Sequence, residues 1–595
     1  MHRDNGRMTK MIGTACALVL MAACTTANAQ IAPAAAPEKG KPVLTAHTRS
    51  SGLPLTAEQK ALDFTHADLA IEVFPDRYAI AGVATLSFTA RARTKAVVFD
   101  LDRNLPISAI ALDGTALPAS AWSNADGMVR VRLPRAVGKG DSFALAVHYA
   151  GTPHVAVKAP WDGGFVWAKT KDGKPWIATA VQGEGCDLFW PCFDNPTVEI
   201  GSVDLHITVP GDLVAPSNGR LVGVDTLPDG RKRWNWSAKR PNSYAIALNI
   251  APYQVIEGDY RSRFGNVVPM RYWYLPGEEE QAKGLFAEFA PTLSFFEDMI
   301  GPYPFGDEKL GVVETPHLGM EHQTINAYGN EYKKAPEGFD WLFQHEFAHE
   351  WFGNQLTNSD WDHMWLHEGY GSYMQPLYSQ WRDGDMPYMA QLWKMRGQLN
   401  NRFPIVSGSS KTEEQVYDDA VGPGHDIYYK AALVLHSFRA LVGDRAFFAI
   451  TRRVVYGRPD PAPGNFAPRF ADTAEYERIV RDVTGTDYRW FFNVYLRQPA
   501  LPELVTLREG DQLLLRWKTP KDLPFPMPVD VQVGDAPVQT LPMANGTGSV
   551  RVPAGAHVRI DPASKLLRQN DEIDAYQAWK KAEDEKKKAA EAKPQ

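Results

Sequence analysis

The chain has 595 residues, too many for one domain; at roughly 100–200 residues per domain the natural expectation is about three. With 44% apolar and 22% charged residues it has the make-up of an ordinary folded protein, which excludes a largely disordered, collagen-like or multi-spanning membrane chain. The net charge of −7 offers no global attraction to nucleic acid, and four cysteines are too few for a disulfide scaffold or a zinc-finger array.

Residues 1–29 read as a secretory signal peptide. Arg3, Arg7 and Lys10 precede an apolar stretch over 11–23 that is shorter than the roughly 20 residues of a membrane span. Two processing sites fit. Ala27-Asn28-Ala29 before Gln30 has the small-residue pattern of signal cleavage, whereas Met21-Ala22-Ala23-Cys24 resembles a bacterial lipoprotein box that would leave a lipid anchor on Cys24. Either site predicts an exported bacterial protein, periplasmic or anchored at the outer membrane as a lipoprotein, with no transmembrane span in the mature chain. Residues 30–55, rich in Ala, Pro and Lys at their start, read as a linker.

Over 56–255 the pattern has period two. Ala84, Leu86, Phe88 and Ala90 alternate with Thr85, Ser87 and Thr89, and Val203, Leu205, Ile207 and Val209 alternate with Asp204, His206 and Thr208. These are half-buried strands of an N-terminal β domain. Export leaves two readings open for Cys186 and Cys192: a small-loop disulfide or a pair of buried thiols.

Near 277 the spacing turns helical, with Leu285, Phe289, Leu293 and Phe296 on one face and Pro291 bending or restarting the helix. Helical texture continues through 341–355, 365–382, 427–442 and 472–496, with Asp472-Thr473 as a cap for the last, while the proline-rich 458–468 is a loop. The span 256–500 is therefore a mostly helical domain. Alternation returns in Leu513, Leu515 and Trp517 and in Val529, Val531 and Val533, with Asn545-Gly546 as a turn, so 501–568 reads as a small β-sandwich. Residues 569–595 form a Lys/Glu/Ala-rich charged tail, a frayed helix or a disordered segment. No internal repeat is present.

The segment His345-Glu346-Phe347-Ala348-His349 carries the chemistry. Two histidines four apart lie one turn apart on one helix face, where both imidazoles can reach one zinc ion, and the Glu between them is placed to act on a water at an open coordination position. A catalytic zinc needs a third protein ligand. The metzincin spacing is excluded, because Phe352 and Gln355 stand where that class has Gly and His. Glu368, in Trp365-Leu366-His367-Glu368-Gly369, is the favoured third ligand, with His363 and His367 as rivals.

HEFAHEWFGN followed by WLHEGYGSYM resembles the zinc aminopeptidases of the gluzincin class, the family of aminopeptidase N and leukotriene hydrolase. Three further segments carry the likeness, which spans roughly 60–500. Leu318-Gly319-Met320-Glu321-His322 is similar to the family's G-x-M-E-N motif, with His322 in place of Asn. Gln182-Gly183-Glu184 leading to Trp190-Pro191-Cys192-Phe193-Asp194 is similar to its Q-x-E…F-P-C-F-D segment. Tyr428-Tyr429-Lys430-Ala431 is similar to Y-E-K-G, with Ala431 for Gly.

The resemblance implies a multidomain α+β fold: an N-terminal β saddle domain, a thermolysin-like, mostly helical catalytic domain and a small C-terminal β-sandwich, without the large helical domain that often follows. It implies one Zn²⁺ on His345, His349 and Glu368, with Glu346 as general base and Tyr428 stabilising the oxyanion. It assigns the substrate's α-ammonium to Glu321 and Glu184 and backbone contacts to Gly319 and Met320. The implied substrates are peptides with a free N-terminus. Two other readings use the same scaffold, a non-catalytic exported binding protein and an epoxide hydrolase like one branch of the family.

Overall fold

A computed structural model describes residues 36–591. The proposed signal peptide, with Cys24 and both processing sites, lies outside the described residues. The period-two segments form an eight-stranded sheet in which Leu62–Phe74 pairs antiparallel with Ala79–Ala90 and parallel with Ser202–Val209. Their alternation maps onto burial as expected: Ala84, Leu86, Phe88 and Ala90 are buried, while Thr85, Ser87 and Thr89 between them are half-exposed. Two three-stranded sheets pack onto this one through a core holding Phe64, Phe88, Trp190 and Phe193.

Cys186 and Cys192 form a disulfide, and both are fully buried. The bridge closes a loop that starts two residues after Glu184. Backbone bonds in both directions between Asp100 and Cys192, at 2.8 and 3.1 Å, pin the far end of that loop to the strand Thr94–Asp100.

The expectation of a linker over 30–55 needs correction for its described part. Leu44, Thr48 and Ser51 are buried, Gly40 N–H donates to the Val155 carbonyl at 2.8 Å, and His47 meets Asp100 at 2.8 Å. Residues 36–55 are a strap on the β domain: the apolar and hydrogen-bonding side chains that follow the Ala/Pro-rich start outweigh the freedom that composition suggested.

The next domain opens with a five-stranded sheet that helical periodicity did not reveal. Its order is Gln254–Arg261, Val267–Tyr274, Leu310–Glu314, Asn326–Tyr328 and, at the edge, Gly319–Met320. Leu310–Glu314 is buried at every position, so it shows no alternation, and the last two strands are three and two residues long. The helices then follow. Glu279–Phe286 ends before Phe289–Met299 begins, with Pro291 in the first turn of the second, so the proline restarts the helix rather than bending it. Asp472 caps Thr473–Thr484 by accepting from Glu475 N–H at 2.7 Å.

The C-terminal sandwich has two three-stranded sheets. It shares one hydrophobic core with the helical domain, Trp517, Phe525 and Val529 joining Phe491 and Tyr495. The charged tail forms the helix Asp571–Glu591. Its first turns are docked, with Ile573 buried and the Gln577 amide donating to the Leu399 carbonyl.

Candidate active site

The site is built on three elements. Asp340 starts the helix Trp341–Ala348 by accepting from Leu342 and Phe343 N–H at 3.1 and 3.0 Å. Sequence periodicity carries this helix to 355, but regular α-helix stops at Ala348, and the chain continues as a wide turn broken at Phe352 and Gly353. The break has a use: it frees the Phe352 carbonyl, which lies 2.8 Å from His349 Nδ1 and so turns Nε2 toward the site.

The second element is the helix Trp365–Asp383, which brings Glu368 in its first turn. His345 Nε2 and His349 Nε2 are 3.2 Å apart, and each is 3.4 Å from Glu368 Oε2. A tetrahedral zinc with bonds of about 2.0–2.1 Å has ligand–ligand edges of about 3.3–3.4 Å. The three atoms therefore form one face of such a tetrahedron and leave the fourth vertex free. Glu368 Oε2 is buried without a hydrogen-bond donor, as an atom reserved for a cation would be. No other metal-ligating cluster of this kind occurs among the described residues.

The rivals are committed elsewhere. His367 Nε2 accepts from Asn358 N–H at 2.9 Å, and His363 Nδ1 meets Thr473 Oγ1 at 3.1 Å. Two glycines let the parts close up. A Cβ on Gly371 would stand 3.0 Å from His349 and 3.3 Å from His345 ring atoms, and one on Gly319 would stand 2.5 Å from Glu346 Oε1. The edge strand Gly319–Met320 thus lies directly against the Glu346 carboxylate, which burial pushes well above the usual range for its acid group.

Glu321 follows on that edge. It is buried, and its Oε1 accepts from the Gln182 amide at 2.7 Å and from Tyr244 Oη at 3.2 Å. Glu184 is half-buried, accepts from Gly163 N–H, and is pushed up to about 8 by burial. His322, standing where the family motif has Asn, is fully buried with neither ring nitrogen hydrogen-bonded, and burial lowers it to about 3, so it is neutral.

The third element is the helix Tyr429–Val442, preceded by Tyr428. The Tyr428 ring centroid is 6.1 Å from that of His345, and its hydroxyl is 3.4 Å from Tyr417 Oη, which in turn donates to Glu368 Oε1 at 2.8 Å. Of the adjacent tyrosine pair, Tyr428 is therefore the one against the metal-ligand cluster. Lys430 is structural, its buried ammonium donating to the Gln498 and Pro499 carbonyls. Ala431 in place of the family's Gly fits because Gly369 faces it: a Cβ there would stand 2.6 Å from Ala431 Cβ. Tyr417, Tyr244 and Gly163 escaped sequence reasoning because each comes from a segment with no motif of its own. Gln182 belongs to the Q-x-E segment, and its spacing to Glu184 is the signal that the sequence carries.

Comparison with known proteins decides the relationship. Residues 64–244 match the Peptidase M1 N-terminal domain and residues 310–456 match the Peptidase family M1 domain, together more than half of the chain. The chain belongs to peptidase family M1. Aminopeptidase 2 of Candida albicans (strain SC5314 / ATCC MYA-2876) is 24% identical over 344 residues, 53% of this chain and 35% of that protein. Mitochondrial aminopeptidase 2 of Saccharomyces cerevisiae (strain ATCC 204508 / S288c) is 25% identical over 381 residues, 58% of this chain and 37% of that protein. The chain thus spans about a third of the length of these two relatives. A crystal structure of an M1 zinc metallopeptidase mutant from Deinococcus radiodurans, bound to a Tyr-Ser-Ala substrate, superposes with a TM-score of 0.62 at 25% identity, covering 76% of this chain and 98% of that one. The M1 matches contain every site segment named above, from Gln182 and Glu184 to Tyr428, and the group of His345, His349 and Glu368, which could hold a metal ion, lies within the matched Peptidase family M1 domain.

Proposed function

We propose that this protein is a zinc-dependent aminopeptidase that removes N-terminal residues from peptides outside the cytoplasm, with one Zn²⁺ per chain on His345, His349 and Glu368. The observation that carries the reading is the buried carboxylate of Glu321, directly after the edge strand Gly319–Met320 that lies against Glu346, in the same site as an open-vertex ligand triangle. A carboxylate held there calls for a cation, and a peptide's α-ammonium is the cation that lies a short, fixed distance from a scissile bond. The relatives named aminopeptidases support the same reading.

Bound Zn²⁺ supplies Lewis-acid polarisation of the scissile carbonyl and lowers the pKa of water. The chain's residues do the rest. Glu321 and Glu184 take the α-ammonium and set the register. The Gly319 and Met320 backbone runs along the substrate. Glu346 accepts the proton of the attacking water and returns it to the leaving amine. Tyr428 Oη donates to the oxyanion as the carbonyl carbon becomes tetrahedral. Export is supported by the N-terminal sequence and by the buried Cys186–Cys192 disulfide, which suits an oxidising compartment. The mass of the mature N-terminus separates cleavage after Ala29 from lipidation of Cys24.

The test is a panel of aminoacyl-dye and peptide substrates, each with a free or acetylated N-terminus. Free substrates are expected to be cleaved and acetylated ones to resist; equal rates on both refute the ammonium role. Glu321→Ala is expected to lower kcat/KM on free peptides by about 10²-fold or more, the scale of removing one partner from a buried charge pair. Tyr428→Phe is expected to lower kcat by about 10²–10³-fold with KM little changed, as for loss of a single oxyanion donor. A rise in KM alone would place Tyr428 in ground-state binding instead.

A further inference from the structure

One more carboxylate faces the site and has no partner. The short helix Glu413–Tyr417 is held by a reciprocal cap in which Thr412 Oγ1 accepts from Gln415 N–H and Gln415 Oε1 accepts from Thr412 N–H. Glu413 and Tyr417, four apart, share one face of it. Tyr417 reaches the metal ligand Glu368, as described. Glu413 lies on the same side against the Gln182-Gly183-Glu184 segment: its Oε2 is 3.6 Å from the position that a Cβ on Gly183 would occupy. The glycine leaves room beside the carboxylate.

Glu413 is 5% exposed, and no hydrogen bond or ion pair reaches its carboxylate among the described residues. The charges acting on it are those of Glu184, Glu321, Glu368 and Glu414, all of its own sign. Its two neighbours on the substrate side are answered by the protein, Glu321 by Gln182 and Tyr244 and Glu184 by Gly163. A buried carboxylate with no donor is expensive to keep, so burial first and the neighbouring carboxylates second hold the Glu413 acid group well above the usual range, and a cation brought beside it would favour the charged form. The α-ammonium already has Glu321 and Glu184. A second cation on the same residue can come only from its side chain, and the Lys and Arg stems carry their charge well clear of the backbone amine.

We propose that Glu413 receives the side-chain cation of an N-terminal Lys or Arg, so that the enzyme prefers peptides beginning with a basic residue; this rests on the aminopeptidase reading above. The experiment compares methylcoumarin amides of Lys, Arg, norleucine and Ala on zinc-loaded wild type and on Glu413→Gln, with thermal unfolding as the check on folding. Norleucine keeps the Lys chain length without the charge. Wild type is expected to favour Lys and Arg over norleucine by about 10-fold or more in kcat/KM. Glu413→Gln is expected to lose about 30-fold or more on Lys and Arg and less than about 3-fold on norleucine and Ala. Equal losses on all four would place Glu413 on the α-ammonium and overturn the proposal, as would a wild type without basic preference, a result that needs no variant. Absence of hydrolysis of all four by zinc-loaded wild type would instead refute the aminopeptidase reading itself.

Discussion

Glu346→Gln is expected to lower kcat by about 10³–10⁴-fold while leaving bound metal and thermal stability unchanged. The Glu346 side chain is buried against the Gly319 backbone and is not one of the three atoms of the ligand triangle, so its loss removes a proton carrier without opening the coordination set. The amide is isosteric with the carboxylate but cannot accept a proton from water. In the mechanism proposed above the same group delivers that proton to the leaving amine, so both halves of the reaction are expected to fail together. Single-turnover rates and metal analysis on the same preparation check this. A Gln variant with more than about a tenth of wild-type kcat would refute the base role, and one that loses its zinc would place Glu346 in the metal set instead.

Removing the metal is expected to abolish hydrolysis and to lower the thermal midpoint by several degrees, with both restored by one equivalent of Zn²⁺. The ligand atoms sit 3.2–3.4 Å apart before any ion is considered, and Glu368 Oε2 is buried with no donor. An ion that binds this arrangement and not the unfolded chain stabilises it by about 2.7 kcal/mol at a hundredfold excess over its Kd, and by about 4.1 kcal/mol at a thousandfold. His349→Ala is expected to mimic the chelator, since it deletes a ligand and leaves the Phe352 carbonyl without the imidazole that faces it. Activity that survives exhaustive chelation, or a midpoint indifferent to zinc, would contradict a metal-centred site.

Much of the site was legible without coordinates, for identifiable reasons. His345, Glu346 and His349 are local: a 3.6-residue helix puts i and i+4 on one face whatever surrounds it. The strands of the β domain were legible because one face is buried and one is wet, which writes the period into the sequence. Leu310–Glu314 is buried on both faces and writes no period, and the edge strand Gly319–Met320 is too short to write one, so the sheet whose edge leads into Glu321 is not legible in the sequence. The strap over 36–55 is not legible in its composition, which measures the freedom of a chain and not the contacts that bury Leu44, Thr48 and Ser51.

By itself the sequence determined the metal-binding helix, the class of metal, the order of the domains and, through several separated motifs, the M1 family. The tertiary structure brings Glu368, and not His363 or His367, together with His345 and His349, sets Tyr428 rather than Tyr429 beside them, bonds Cys186 to Cys192, and carries Tyr417 and Glu413 to the same place. The division has a physical cause. Spacing along one helix is set by backbone geometry, whereas the meeting of residues 184, 321, 368 and 413 depends on how a sheet edge, two helices and a loop pack, and that is settled by close contacts such as Gly371 on the histidines and Gly369 on Ala431.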